Sequence, residues 1–359
     1  MYNHSEVNHT DEEPVSDTVV AIHQICSTLL STCGAMLNFM TVMAILRSRL
    51  QRQSAIAFVL NFIVLNFLVA SICLPIIMVT SFNTELMTSN LMGCRIGGYV
   101  IYSTIGTELM ALILIAVNRY FLIVHYARYQ KIYYSRRNIA IMMVTSWMVY
   151  PIIFIFPLTE TWGHFMYDLH RFACHPMNSH GMGNFIILFV LLTMVPSLGY
   201  CYIAIVYKVI KNRRIVNASR TNSKNSGYSK SDMQLVSIVI LILTTFTILY
   251  IPFLVLGLLD PHMTKYGVVV HVISIYFGWS HVIVNPLIYS VMNRQIKQAY
   301  KRLLCKASKR EEPGGLQVPH QSMNVNRTSL TQNSAGKSNG DLYKAPPPEK
   351  TMVKEETEC

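Results

Sequence analysis

Arg119 and Glu108 are the two charges that stand deep inside a long apolar stretch, the run Met92–Val124. A charged side chain is costly in hydrocarbon unless it faces protein or water, so an arginine there is a functional candidate by position alone. Glu108 lies about three helical turns before it, ~16 Å along a helix rising 1.5 Å per residue. Midway along the last apolar run, His281 stands one turn before Asn285. An imidazole facing a carboxylate in a dry site supports one of two chemistries. Protonated, it pairs with the carboxylate and displaces other cations; neutral, it leaves the carboxylate to bind sodium or a proton. A third reading is structural, a satisfied polar network joining Asn38, Asn66, Glu108, His281 and Asn285. Catalytic sets are missing: the spans hold no paired aspartates for intramembrane proteolysis and no Ser-His pair in an unmistakable pocket. His164, His170, His175 and His180 are scattered rather than spaced as metal ligands. Neither an enzyme nor a resident cofactor is expected; sodium or a proton is the candidate ion at the middle of the bundle.

The elements that would hold these residues are membrane helices. Of the 359 residues 52% are hydrophobic and only 13% charged, against roughly a quarter charged in soluble domains. Seven apolar stretches reach spanning length, about Val19–Leu46, Ser54–Ser81, Met92–Val124, Ile139–Leu158, Met182–Ile210, Met233–Leu259 and Val268–Met292. The fold class is therefore an all-α membrane protein, a seven-helix bundle. Net charge is +12, yet the cations are sorted by side rather than gathered into a nucleic-acid surface. Arg95, Arg171 and Lys265 lie on one side; Arg47–Arg52, Arg128–Arg137, Lys208–Lys230 and the tail lie on the other. Positive charge marks the cytoplasmic face, which puts the amino terminus outside, most simply at the plasma membrane. Membrane lipid is thus an expected partner and nucleic acid is not.

Four parts follow: an outer tail 1–18, a bundle 19–292, an amphipathic membrane-surface helix 293–305 and a disordered inner tail 306–359. Asn3 and Asn8 open glycosylation triplets on the outer tail, and Cys305 is a palmitoylation candidate after the surface helix.

Several marks occur in order at the matching spans: Gly34 and Asn38; Cys94 and Asn118-Arg119-Tyr120; Trp147; Phe246 and Pro252; Asn285-Pro286-Leu287-Ile288-Tyr289. Together they resemble the rhodopsin-like (class A) G-protein-coupled receptors over about Ser27 to Cys305. His125, Tyr129, Ile132-Tyr133, Trp162-Gly163-His164-Phe165 and Asp168 are similar to the melatonin receptors and the invertebrate trapped-in-endoderm and moody receptors. Where melatonin receptors carry their ligand-holding Asn, Phe and Gln, this chain has Pro157, Pro176 and Asn178, which argues against melatonin itself.

The resemblance implies a disulfide between Cys94 and Cys174, which an oxidising lumen permits. It implies that Arg119 is held inward at rest and meets the G protein when the sixth helix swings away. Asn118 replaces the usual acid beside it, leaving Asp232 as partner across the helices or, equally, as a helix cap. Glu108 and Asn66 invert the usual placement of the mid-membrane carboxylate. Pro252 and Pro286 are the hinges, with Tyr250 in place of the usual Trp, and Tyr289 completes the active state. In the fifth helix Tyr202 falls short of the expected distance from Pro196, so either a bulge shifts the register or Tyr202 and Tyr207 have other roles.

An amine receptor needs Asp where this chain has Ile101, and an opsin needs Lys at Trp279. Ile101, Tyr102, Ile105, Tyr250, Phe253 and Trp279 then line a mostly apolar pocket for a neutral, lipid or indole-like molecule; their alternative role is packing. The implied function is ligand-driven nucleotide exchange on heterotrimeric G proteins, with arrestin and a receptor kinase as further partners. The rival is a multi-span solute transporter, which would show internal repeats.

Overall fold

In the computed structural model, residues 16–82, 90–168, 171–176, 181–218, 230–260 and 265–308 are described, excepting the side chains of 212–218, 230–240, 243 and 305–308. Residues 1–15 with Asn3 and Asn8, the residues beyond 308, and the side chains of Asp232 and Cys305 fall outside that set.

The described residues form a helical bundle with one small hairpin. In order the helices are α1 (Asp17–Arg47), α2 (Ser54–Leu68), α3 (Leu74–Phe82), α4 (Leu91–Val124), α5 (Tyr126–Tyr133) and α6 (Arg136–Leu158). After strands β1 (Phe165–Asp168) and β2 (Ala173–Pro176) come α7 (Met182–Ala218), α8 (Lys230–Leu259), α9 (Val268–Trp279), α10 (His281–Met292) and α11 (Arg294–Ser308). Among the described residues six stretches are long and apolar enough to cross a membrane, with Thr244–Leu259 of α8 as a shorter apolar helix. Their outward faces carry residues such as Met36, Phe39, Val144, Leu192 and Ile203, more than half exposed. Such a surface is stable in lipid and not in water.

Two spans are interrupted, one of them beside a proline. A widened turn, Val69–Cys73, joins α2 to α3 just before Pro75, which has no N–H to bond the preceding turn. The last span divides at Ser280 into α9 and α10. Pro286 within α10 leaves the Val282 carbonyl without its helical donor, and Asn38 Nδ2 donates to that carbonyl at 2.7 Å. One side chain of the first helix thereby secures the loosened last helix.

α4 and α6 approach closely because Gly106 has no side chain: a Cβ there would fall on the ring of Tyr150, itself 2% exposed. Gly106→Val is expected to cost about 1–3 kcal/mol by overpacking. Gly199→Ala, with nothing within 4 Å of its added Cβ, is expected to be neutral or stabilising by up to ~1 kcal/mol. Opposite signs in thermal unfolding of the two purified variants check the packing.

At one end of the bundle, β1 pairs antiparallel with β2 in the register Asp168↔Ala173. The Cys94–Cys174 disulfide, Cα–Cα 5.4 Å, ties this hairpin to the start of α4. Burial, followed by the nearby Asp168 charge, pushes the Tyr167 hydroxyl up to about 12, so it stays protonated and donates to the Thr80 carbonyl at 3.2 Å. At the inner end, Asn293 Oδ1 accepts from the Gln295 and Ile296 amides and caps α11. Ile296 and Ala299 are buried, and Tyr300 bonds Thr41 at 2.5 Å.

Candidate functional site

The site is a line of side chains running inward from an outer cavity to Arg119. The cavity, about 130 Å³, is lined by all six residues expected from the sequence: Ile101, Tyr102, Ile105, Tyr250, Phe253 and Trp279. Ile77, Val272 and Ile275 extend its apolar wall. The lining residues not expected from the sequence include two basic ones, His23 and Arg171. Arg171 had a usable signal, since a residue three before Cys174 must lie near the outer end of α4 once the disulfide closes. His23 had none, being one polar residue in an apolar run.

His23 is a clasp between helices. Its Nδ1 lies 2.6 Å from the Tyr276 hydroxyl, and its ring stacks on Phe172 at 4.2 Å. Phe172 has a left-handed φ of 51°, unfavourable for a bulky residue. Its carbonyl accepts from Thr80 Oγ1 at 2.5 Å, which holds that conformation in place.

Tyr250 forms the floor. Its ring stacks on Phe246 at 4.2 Å and lies 5.5 Å from His281. Beneath it, His281 Nε2 is 2.8 Å from Glu108 Oε1, and both residues are 1% exposed. His281 Nδ1 is 2.8 Å from the Gly278 carbonyl, which only accepts, so Nδ1 carries a hydrogen. Nε2 is then either protonated against a carboxylate or a lone pair accepting from a carboxylic acid. In both forms the pair holds one shared proton and has no net charge.

The five-residue polar network suggested by the sequence resolves into separate couplings. Glu108 meets His281; Asn285 Nδ2 donates to Asn66 Oδ1 at 3.3 Å; and Asn38 serves the Val282 and Gly34 carbonyls. Asn38 therefore belongs to the helix repair at Pro286. The sequence could not distinguish these roles, because depth in the membrane does not specify which way a side chain turns.

At the inner end, Asn118 and Arg119 are buried at 1% and 2% exposure. Tyr289 is fully buried within electrostatic reach of Arg119. Tyr120 bonds the Tyr200 hydroxyl and His125 Nε2, each at 3.1 Å. The fifth-span uncertainty resolves without a bulge. α7 is continuous through Pro196, Cys201 and Ile205 point inward, and Tyr202 and Tyr207 are exposed. Tyr200, not Tyr202 or Tyr207, is the fifth-span tyrosine that reaches Tyr120.

A family model described as "7 transmembrane receptor (rhodopsin family)" matches residues 37–289. Protein trapped in endoderm-1 of Drosophila melanogaster is 25% identical, over 81% of this chain and 78% of its own. The G-protein coupled receptor moody of Drosophila pseudoobscura pseudoobscura is 23% identical over 82% of this chain, which spans about half (54%) of that relative's length. Melatonin receptor type 1C of Xenopus laevis is 25% identical over 74% of this chain and 63% of its own. Among solved structures, squid rhodopsin superposes with a TM-score of 0.71 at 20% identity, covering 87% of this chain and 94% of that one, a likeness of fold.

Proposed function

Since the chain belongs to the rhodopsin-like seven-transmembrane receptors, which are receptors rather than enzymes, we propose that it binds a small extracellular ligand in the outer cavity and activates heterotrimeric G proteins. The observation that carries this reading is the placing of two sites on one helix. The outer half of α4 lines the cavity through Ile101, Tyr102 and Ile105, and its inner end buries Arg119. Between them Tyr250 touches both the cavity and the His281 ring, so a ligand that moves Tyr250 also loads the Glu108–His281 contact.

The mechanism is selection between two helix packings. A ligand that binds the open packing more tightly shifts the population toward it by that difference in affinity. Pro252 and Pro286 let α8 and α10 bend at low cost, and Arg119 and Tyr289 then become available to the G protein. Asp232 is the proposed resting partner of Arg119 across the helices. A protein at the plasma membrane with its amino terminus outside, arrestin and a receptor kinase as later partners, glycans at Asn3 and Asn8 and an acyl chain at Cys305 complete the reading. The ligand is largely apolar, because apolar side chains make up most of the cavity wall.

The test is nucleotide exchange on added G proteins in membranes that hold the protein, beside solute and proton flux in vesicles. Exchange without flux is expected. Flux without exchange would establish the transporter reading instead. Arg119→Leu at equal surface level is expected to cut ligand-driven exchange at least about tenfold, or ~1.4 kcal/mol of coupling; normal exchange in that variant would remove Arg119 from the mechanism.

A further inference from the structure

Tyr200 lies on the outward flank of α7, 62% exposed, and still bonds inward. Its hydroxyl meets that of Tyr120 on α4 at 3.1 Å, and the Tyr120 hydroxyl also lies 3.1 Å from His125 Nε2. The Tyr120 ring is held by the same two residues, its centroid 5.4 Å from each of their rings. His125 is the joint between α4 and α5: its amide donates to the Phe121 carbonyl, and its own carbonyl accepts from the Tyr129 amide. α5 is moored in turn, since the Tyr129 hydroxyl lies 2.6 Å from Ser54 Oγ at the start of α2. Tyr120 is therefore gripped between α7 and a fixed corner of the chain.

Side chains on successive helical residues leave the axis about 100° apart. Fixing Tyr120 thus fixes the rotation of α4 in which its neighbour Arg119 is buried at 2% exposure. Next to Tyr120, Ile123 and Ile205 are buried at 5% and 2% and make a second contact between α4 and α7. That contact is apolar and so non-directional; the hydrogen bonds set the angle. Tyr200 precedes Lys208, the first cation of α7, by eight residues or ~12 Å. At that depth no water replaces a lost partner, which makes the Tyr120 bond costly to break. A packing in which Arg119 leaves its buried place requires α4 to turn or its neighbours to part, and either breaks the grip on Tyr120.

We infer that Tyr200 and His125 are positioning residues for Arg119: acting through Tyr120, they lock α4 in the rotation that buries the guanidinium and so hold the resting packing. This rests on the receptor reading above, and it places a resting restraint on the side of α4 that meets α7, in addition to the proposed Asp232 partner on α8. A bond made in only one of two packings biases the population toward that packing, and its removal shifts the balance by the same ratio.

The experiment measures ligand-independent nucleotide exchange on added G proteins, in membranes holding equal amounts of each variant. Tyr200→Phe keeps the ring and removes only the hydroxyl; it should raise basal exchange about threefold, the ratio that an interhelical hydrogen bond of average strength contributes in a membrane protein. In a Tyr120→Phe background the same substitution should add nothing, because the bond is already gone. His125→Phe keeps a ring and removes the nitrogen; it should also raise basal exchange, and it decides the case if Tyr200→Phe does not reach the surface. Tyr202→Phe, at an exposed tyrosine two residues further along, should match wild type. Damage to folding lowers exchange, so a merely structural role would not produce these rises. The proposal is overturned if Tyr200→Phe or His125→Phe leaves basal exchange unchanged or lowers it, if Tyr200→Phe gives its full rise in the Tyr120→Phe background, or if Tyr202→Phe rises equally. Wild-type exchange with no rise in the variants sinks only this assignment; no exchange by wild type or any variant above membranes lacking the protein sinks the receptor reading as well.

Discussion

His281→Asn should unfold several degrees below the wild-type protein in choline chloride and recover part of that loss when sodium chloride replaces it at equal ionic strength. The wild-type unfolding temperature should be the same in both salts. In the native pair the shared proton leaves Glu108 and His281 together uncharged, so a sodium ion would enter against an already compensated carboxylate. Asparagine removes the imidazole that holds the proton and leaves Glu108 buried at 1% exposure without it. Removing one partner from a buried pair costs about 3–5 kcal/mol, and a bound cation returns part of that cost. Glu108→Gln is the milder variant, because its amide still donates to a neutral His281; it should lose less stability and be indifferent to sodium. Equal sodium dependence in wild type, His281→Asn and Glu108→Gln would place the ion elsewhere. A wild type stabilised by sodium while His281→Asn is not would reverse the assignment.

Cys174→Ser should destabilise the protein by about 2–5 kcal/mol, the usual cost of removing a native disulfide. It should also weaken ligand binding more than a remote substitution of equal stability cost. The bond closes 80 residues of chain, and loop-closure entropy grows with length. It also fixes the hairpin that brings Arg171 and Ala173 to the cavity wall and Phe172 against His23. Phe172 has an unfavourable left-handed backbone, with Thr80 donating to its carbonyl, so a hairpin released from α4 is expected to relax away from the bundle. Thermal unfolding with and without reductant measures the first effect: wild type should fall to the variant's temperature on reduction, and the variant should not move. Unchanged binding in Cys174→Ser would show that the hairpin does not shape the site.

The cavity was legible in the sequence to the extent that apolar and aromatic residues on the outer halves of helices converge in any such bundle. Ile101, Tyr102, Ile105, Tyr250, Phe253 and Trp279 all meet there. Arg171 was less legible because its place depends on a cross-link eighty residues long and on hairpin register. The Glu108–His281 contact stood as one of several readings. Their depths could be counted from helical rise, while their facing directions depend on the break at Ser280 and the repair of Pro286 by Asn38.

The amino-acid order alone determined the number of apolar spans, the sorting of cations to one side and the presence of a charge within a span. The spans and the buried charge follow from the cost of polar groups in hydrocarbon, residue by residue, and the sorting from the excess of Lys and Arg in cytoplasmic loops. Tertiary structure decided which polar residues touch: Glu108 with His281, Asn66 with Asn285, Asn38 with a backbone carbonyl, and Tyr200 rather than Tyr202 with Tyr120. Those pairings depend on rotation and bending of whole helices, and a few degrees about a helix axis changes a partner without changing any residue's depth in the membrane.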